Sequence, residues 1–391
     1  MRALLIFFCI LPCKNSLAID SEKHALSLEN MVVTESIDNT DLFMDRPYSG
    51  NIFVLQEIEE HGIESVQEVT REIPNFNFFD AGRRSLYSIL TVRGLTNTAI
   101  FSEPSVVFYI DDVPYGSTSS YSNRLSAVES IEVYRGSHGH LFGKNSYAGL
   151  FNVHSEKPEN KINTHLSASY ARFNSWATEG HVDGALIKDK LFFSLGGAYA
   201  HSDGYMYNSF LNNTPDEENH ISGHGSLSWQ PSVNWNIKLM VNGDDFKDAN
   251  PHYSALSSDD PLEIQSDENG KLEQHSNMQA LRINYQHDSL EFLSVTTRRD
   301  WQLDPFFIDF DFNPTPFLTS QLTQRQTQWT QEFRLSSKET DINWSIGAFF
   351  STEDNEFSRD SRIYGSTVGS QTSMLEVYNY ALFSNLTFNI S

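Results

Sequence analysis

The stretch "RGSHGHLFGKNS", residues 135–146, contains residue types that can hold a phosphate group. Closely spaced glycines and a Gly-Lys pair could form a loop whose backbone N–H groups surround a phosphate. The phosphate-loop pattern also requires a glycine at the position of His138, and Ser or Thr at the position of Asn145. Both requirements fail. The stretch therefore does not indicate a nucleotide-binding enzyme, and its neighbourhood must explain it.

The first residues, "MRALLIFFCILPCKNSLAID", are typical of a secretory signal. Arg2 supplies the positive start, an apolar run follows over residues 3–13, and the small residues before Ala18 suit signal peptidase. We therefore expect residues 1–18 to be removed. Both cysteines, Cys9 and Cys13, lie in this segment, so the mature chain would have no disulfide, thiolate nucleophile or Cys-ligated metal.

Composition narrows the class of protein. A formal net charge of -24 argues against a nucleic-acid partner, because phosphates require Lys and Arg. No apolar run of about 18 residues follows the signal, which argues against a helical membrane protein. The aromatic content is nevertheless 13%. A transmembrane β-barrel reconciles these facts, because it places apolar residues at alternate strand positions and keeps a polar interior.

The second half of the chain alternates as barrel strands do. In "NWNIKLMVN", Trp235, Ile237, Leu239 and Val241 fall on one face and Lys238 on the other. We count about ten such strands. They are predicted to begin near residues 161, 176, 190, 219, 234, 277, 289, 323, 341 and 375. Tight turns alternate with long polar loops at 202–218, 245–276, 302–322 and 352–374, as in outer-membrane barrels.

Residues 45–157 follow a different pattern. Apolar positions at Ile58, Ile63, Val66 and Val69 predict a short helix that stops before Pro74. The segments "ILTVRGLT", "SVVFYIDDVPYG", "VESIEVYRGS" and "YAGLFNVHSEKP" then predict strands closed by turns. We expect one compact α+β unit placed before the barrel.

The order of "MVVTES", "VRGL", "VFYIDDVPYG", "IEVYRGSHGHLFGKNSYAGLFNVHSEKP", "TQEFRLSS" and "YALF" resembles the TonB-dependent outer-membrane receptors, particularly those for iron complexes. The resemblance runs from about residue 30 to the end. It implies a TonB box and linker over 19–44, a plug over 45–157 and barrel strands over 158–391. The glycines of "RGSHGHLFGKNS" would then make turns inside the plug, with His138 and His140 as packing residues, or less favourably as metal or haem contacts.

The resemblance assigns three sites, none of them catalytic. The first is the TonB box, where a β-prone run can add as a strand to the sheet edge of the TonB protein. It comprises Asn30, Met31, Val32, Val33 and Thr34. The second is the ligand-binding apex of the plug, where Arg and Tyr side chains would meet an anionic ferric siderophore. It comprises Arg83, Arg84, Tyr87, Tyr115 and Tyr121.

The third site is a plug–barrel lock, in which plug arginines pair with an inward barrel glutamate. Arg93 in "VRG" and Arg135 in "YRG" match the plug side. In "WTQEFRL", alternation turns Trp329 and Phe333 outward and Glu332 into the lumen, so Glu332 is the expected partner. A merely solvated Glu332 is the alternative.

The predicted fold is an α+β plug followed by an incomplete antiparallel barrel, since plugged transporters have about 22 strands. The length therefore implies the N-terminal portion of a receptor. The predicted function is active uptake of a ferric siderophore by a monomer in the outer-membrane lipid, energised by TonB, without enzymatic activity, resident metal or cofactor. Receptors for haem, cobalamin or carbohydrate remain open. A passive channel is less favoured, because a diffusion pore needs neither plug nor TonB box.

Overall fold

The computed structural model describes residues 49–63, 65–80, 88–96, 105–115, 127–137, 147–249, 254, 259–338 and 342–388. The predicted TonB box lies outside these residues, as do four of the predicted ligand-binding residues and the two histidines of "RGSHGHLFGKNS". These are Arg83, Arg84, Tyr87, Tyr121, His138 and His140. Within the described ranges, no helix is long and apolar enough to cross a membrane.

The first part of the described chain is a mixed α+β unit. Its elements are β1 (Gly50–Val54), α1 (Leu55–Glu60), α2 (Val66–Arg71), β2 (Phe76–Asp80), β3 (Ser88–Val92), β4 (Leu95–Thr96), β5 (Val106–Ile110), β6 (Val113–Tyr115), β7 (Val128–Arg135) and β8 (Gly149–Ser155). One sheet has the order β1-β7-β8-β5-β6, with β5 parallel to β8, and β2-β3-β4 form a second sheet. The expected α+β plug, with "VVFYI" and "IEVYR" in one small sheet, is confirmed.

The helical segment differs from the expectation of one helix. Two short helices form, because Gly62 between them has φ +62, a left-handed conformation that ends α1. Ser65 then caps α2, with its backbone N–H donating to Glu68 Oε2 at 2.9 Å. The expected end before Pro74 is confirmed, since α2 ends at Arg71. The spacing of apolar residues alone predicted one helix, because the apolar residues of both helices face the same core.

Apolar side chains from both helices and both sheets form the core of this unit. Val66 and Val69 of α2 are fully buried, together with Leu90 and Ile131. Phe108 of β5 stacks on Phe151 of β8, with 5.0 Å between ring centroids. The parallel β5–β8 pair is therefore packed on aromatic side chains, and it holds the β5–β6 hairpin in place.

The second part is a ten-stranded antiparallel sheet in which each strand pairs with its neighbours along the chain. Its strands are β9 (Asn163–Ala171), β10 (Ser175–Ile187), β11 (Leu191–Ser202), β13 (Glu218–Trp229), β14 (Trp235–Asp248), β16 (Lys271–Gln286), β17 (Leu290–Asp309), β18 (Leu318–Ser337), β19 (Ile342–Ile363) and β20 (Ser366–Phe388). Two short strands, β12 (Tyr207–Asn208) and β15 (Glu263–Ile264), pair outside it. The expected strand number is confirmed, and β9 and β20 are the edges of the sheet.

Two predicted loops are mostly strand. Residues 352–374 continue β19 and β20 up to a turn at Tyr364 and Gly365, which have φ 47 and 73. Residues 302–322 likewise extend β17 and β18. Positive φ at both turn residues suits a two-residue hairpin turn. At 352–374 the prediction failed because polar residues occupy both faces of the strands, so that the sequence shows no alternation in hydrophobicity there.

Alternation elsewhere sets the two faces of the sheet as expected. On β18, Trp329 and Phe333 are 47% and 46% exposed, whereas Glu332 and Arg334 are 4% and 8% exposed. Phe192 and Met240 are likewise buried on the inner face, although Leu239 beside Met240 is exposed. The outer face is apolar, and the inner face carries polar and charged groups that can meet the plug.

Candidate functional site

The tip of the β5–β6 hairpin meets the inner face of the barrel sheet. Its two turn residues, Asp111 and Asp112, have φ 50 and 67, which Asp tolerates better than most residues. The Asp111 backbone N–H donates to the Val153 carbonyl at 3.0 Å, and the Ser155 backbone N–H donates to Asp111 Oδ1 at 2.9 Å. We call Asp111 and Asp112 the aspartate turn. These bonds fix it to β8 and aim its carboxylates at the wall.

Two ion pairs join the aspartate turn to the wall. Lys238 Nζ of β14 lies 2.9 Å from Asp111 Oδ2, and Arg282 Nε of β16 lies 2.8 Å from Asp112 Oδ2. All four side chains are at most 17% exposed. Because these side chains are largely buried, removal of one partner would leave an uncompensated buried charge, which is strongly destabilising.

The surroundings of Asp111 keep it ionised. Burial by itself raises the pKa of this carboxyl, but the charge and hydrogen bond of Lys238 and the Ser155 backbone N–H outweigh burial. They hold the pKa of Asp111 well below its ordinary value of 3.8. The carboxylate of Asp111 therefore stays ionised throughout the physiological range.

Tyr115, one of the predicted ligand-binding residues, is only 4% exposed. Asn242 Nδ2 donates to its hydroxyl oxygen at 2.6 Å, and the Arg299 guanidinium lies 4.7 Å from its ring centroid. Burial raises the pKa of Tyr115 to about 12, so the hydroxyl stays protonated. The observed partners of Tyr115 include the barrel wall, in contrast to the expected open apex. Its role in ligand binding stays a prediction.

An apolar patch completes this contact. Val113 of β6 packs in one buried cluster with side chains of β14, β16 and β17. The wall residues are Met240, Met278, Ala280, Leu293 and Val295. Strand alternation places Lys238, Met240 and Asn242 on one side of β14. The same strand can therefore supply the cation, the apolar surface and the amide that hold the hairpin.

An open cleft between plug and wall adjoins the aspartate turn, with a cavity volume of about 120 Å³. Asp111 and Glu156 line it from the plug side, and His224, Lys238 and Asp244 line it from the barrel. Charges of both signs face this space. It can therefore hold water and ions between the two parts of the molecule.

The predicted lock residues have other partners here. Arg334 Nη2 donates to Glu332 Oε1 at 2.5 Å within β18, and Arg135 Nη1 donates to the Pro74 carbonyl at 3.2 Å. The Arg93 side chain is exposed beside Gly136, and its backbone N–H donates to the Asn75 carbonyl at 2.9 Å. The inward direction of Glu332 is confirmed. Its pairing with Arg93 or Arg135 stays a prediction.

Sequence reasoning missed the aspartate turn and its two cationic partners. Two consecutive acids in "IDDVPYG" at a hairpin turn, and inward positions for Lys238 and Arg282, were the available signals. The observed pairs have the opposite polarity to the predicted lock, because the plug supplies the anions and the barrel supplies the cations.

Comparison with known proteins identifies the fold. Residues 44–150 match the family described as TonB-dependent Receptor Plug Domain. The pesticin receptor of Yersinia pestis is 25% identical over 215 residues, which is 55% of this chain and 30% of that receptor.

Solved structures extend the likeness to the barrel strands. The ferric yersiniabactin uptake receptor of Yersinia pestis superposes with a TM-score of 0.80 at 19% identity, over 88% of this chain and 54% of that one. A Pseudomonas aeruginosa protein, FpvA, solved with bound pyoverdines, has a TM-score of 0.73 at 13% identity, over 89% and 50%. The chain thus spans about half the length of these structures. Both Yersinia pestis relatives are described as receptors, in line with the prediction of no enzymatic activity.

Proposed function

We propose that this chain, which belongs to the TonB-dependent receptors by its plug domain and its fold, takes part in the active uptake of a ferric siderophore across the outer membrane. The observation that carries the proposal is the plug hairpin held against the barrel wall at the aspartate turn. A plug held inside a wall blocks free diffusion, so passage requires the plug to move. That requirement favours an energised receptor over a passive channel.

The chemistry of the contact suits a plug that is firmly held but displaceable. Much of the contact consists of ion pairs and hydrogen bonds, and the net stability of such buried pairs is small when both partners can be rehydrated. Water in the adjoining cleft could solvate Asp111 and Lys238 as they separate. We expect the TonB protein to bind residues 30–34 as an added strand and to supply the work.

The ligand class rests on the relatives. The pesticin receptor is a relative by sequence, and two relatives by structure are described with ferric yersiniabactin uptake and with bound pyoverdines. In this chain, Arg83, Arg84, Tyr87 and Tyr121 remain our candidates for ligand contact. Arginine forms strong charge-assisted hydrogen bonds with anionic oxygens, which many ferric siderophores present.

Uptake of radioactive iron tests the proposal. Cells that lack their own siderophore receptors would express the full chain and receive ferric yersiniabactin or ferric pyoverdine, with and without a functional TonB protein. We expect iron to accumulate only in cells with TonB. Equal accumulation in both strains would indicate a passive channel, and accumulation in neither would contradict uptake of these siderophores.

A further inference from the structure

Three potential metal ligands converge where the plug joins the barrel. Glu156 directly follows β8, and His181 and Asp183 lie two positions apart on β10, so both face the same side of the strand. One ligand atom from each residue lies within 4.8 Å of the other two. His181 and Asp183 are 7% and 3% exposed, while Glu156 is half-buried.

The imidazole of His181 has a free position directed at this cluster. Its Nε2 is buried without a hydrogen-bond partner and lies 3.4 Å from Asp183 Oδ1. A buried polar atom without a partner is uncommon in native proteins and needs an explanation. A neutral imidazole with a free Nε2 lone pair is the usual state of a histidine that binds a metal.

Neighbouring side chains orient the ligands. His181 Nδ1 lies 3.4 Å from His224 Nε2, with the two rings stacked. In the tautomer in which Nδ1–H of His181 donates a hydrogen bond to His224, Nε2 of His181 carries no proton. Asn163 Nδ2 donates to Asp183 Oδ2 at 3.4 Å and leaves Oδ1 directed at His181. Hydrogen bonds of this kind fix the tautomer and direction of metal ligands.

The two carboxylates also need positive charge. Within the ranges that the structure describes, no lysine or arginine forms an ion pair with Glu156 or Asp183. Two carboxylates at this separation repel each other, and a divalent cation between them would remove the repulsion. An imidazole among carboxylates favours Zn²⁺ or a similar transition metal over Mg²⁺ or Ca²⁺, which prefer oxygen ligands alone.

We propose that Glu156, His181 and Asp183 bind a divalent transition-metal ion of the zinc class. His165 or water completes the coordination, since His165 is the direct register partner of His181 and lies on the same face of the sheet. The cleft lined by Glu156 and His224 gives the ion a path from solvent. The bound ion ties the chain leaving the plug to the first barrel hairpin, independently of siderophore uptake.

Calorimetric titration with Zn²⁺ tests this site. The full chain, without a histidine tag, would be titrated in detergent micelles after circular dichroism has shown its strands to be formed. We expect a single Zn²⁺ per chain, with affinity at least about 10–100-fold weaker in His181→Gln and in Glu156→Gln, since loss of an outer-shell partner alone weakens metal binding by that factor. Co²⁺ should compete, and its visible absorption should change on binding.

Two further variants keep the outcome interpretable. Glu156 lies outside the strands, so Glu156→Gln should keep the strand signal even if His181→Gln misfolds. His275→Gln is the matched control, because His275 is 46% exposed and pairs with Asp245 away from the cluster. The proposal is overturned if the folded wild-type chain binds no Zn²⁺, or if Glu156→Gln binds it as tightly as wild type. Loss of binding only in His275→Gln would also overturn it.

Discussion

Lys238 Nζ in the barrel wall lies 2.9 Å from Asp111 Oδ2 at the tip of the plug hairpin, although the two residues are 127 positions apart in the sequence. Beside them, Arg282 meets Asp112 across a separation of 170 positions. The wall therefore holds the plug through cations that face paired anions.

Lys238→Met should loosen the plug. The variant leaves the Asp111 carboxylate buried without its main cation, which costs about 3 kcal/mol in comparable pairs. Limited proteolysis across a urea series would measure the free energy of detaching the plug from the wall. Lys271→Met is the control, since Lys271 is 56% exposed and its pair with Glu273 should contribute less than about 1 kcal/mol. Equal effects of the two variants would contradict the assigned contact.

The stability of the docked plug should depend on pH through Asp111. Its pKa in the folded chain is depressed, so its contribution is complete above the ordinary value of 3.8 and is lost as pH falls through the lower folded pKa. We expect little change in stability from this group between pH 7 and about pH 5. In Asp111→Asn this acid-dependent loss should disappear. The same proteolysis assay at graded pH would measure it, and an undiminished acid loss in the variant would count against the assignment.

Gly149→Ala should destabilise the plug. A Cβ at this position would lie 2.7 Å from the Tyr134 carbonyl oxygen on β7, a backbone atom that cannot rotate away. Overpacking of this kind costs about 1–3 kcal/mol. Gly369→Ala in β20 is the matched control, because nothing lies within 4 Å of its added Cβ. Urea denaturation should separate the two variants, and equal midpoints would show that β7 and β8 are not packed this closely.

The TonB box prediction is tested by Val32→Pro. Proline removes a backbone donor that strand addition to the TonB protein needs, whereas Val32→Ala keeps the donor. We expect Val32→Pro to abolish iron uptake while ligand binding at the cell surface stays unchanged, and Val32→Ala to reduce uptake only slightly. Normal uptake by Val32→Pro would remove residues 30–34 from the coupling step.

The sequence predicted those features that depend on local pattern. On β18, the alternation of apolar and polar residues correctly predicted that Trp329 and Phe333 lie on the outer face and Glu332 on the inner face. A half-buried strand must separate apolar from polar side chains in this way. The same reasoning failed at 352–374, where both faces of β19 and β20 are polar. The break at Gly62 was also missed, since an apolar repeat can continue across a left-handed residue.

The contacts of the candidate site depend on distant residues. Lys238 was recognised as lying opposite the apolar face of its strand, but no local signal indicated which plug residue it meets. The same holds for Arg282 and Asp112, whose contact depends on how the β5–β6 hairpin sits against the wall. The family resemblance assigned Tyr115 to the ligand-binding apex, whereas its contact with Asn242 follows from the tertiary structure.

Direct binding of a ferric siderophore is the measurement that tests the proposed function most closely. The folded full chain in detergent micelles would be titrated with ferric yersiniabactin, ferric pyoverdine and cyanocobalamin, with quenching of tryptophan fluorescence as the signal. We expect saturable quenching by a ferric siderophore and none by cyanocobalamin at the same concentration. Saturable binding of cyanocobalamin alone, or of none of the three, would contradict it.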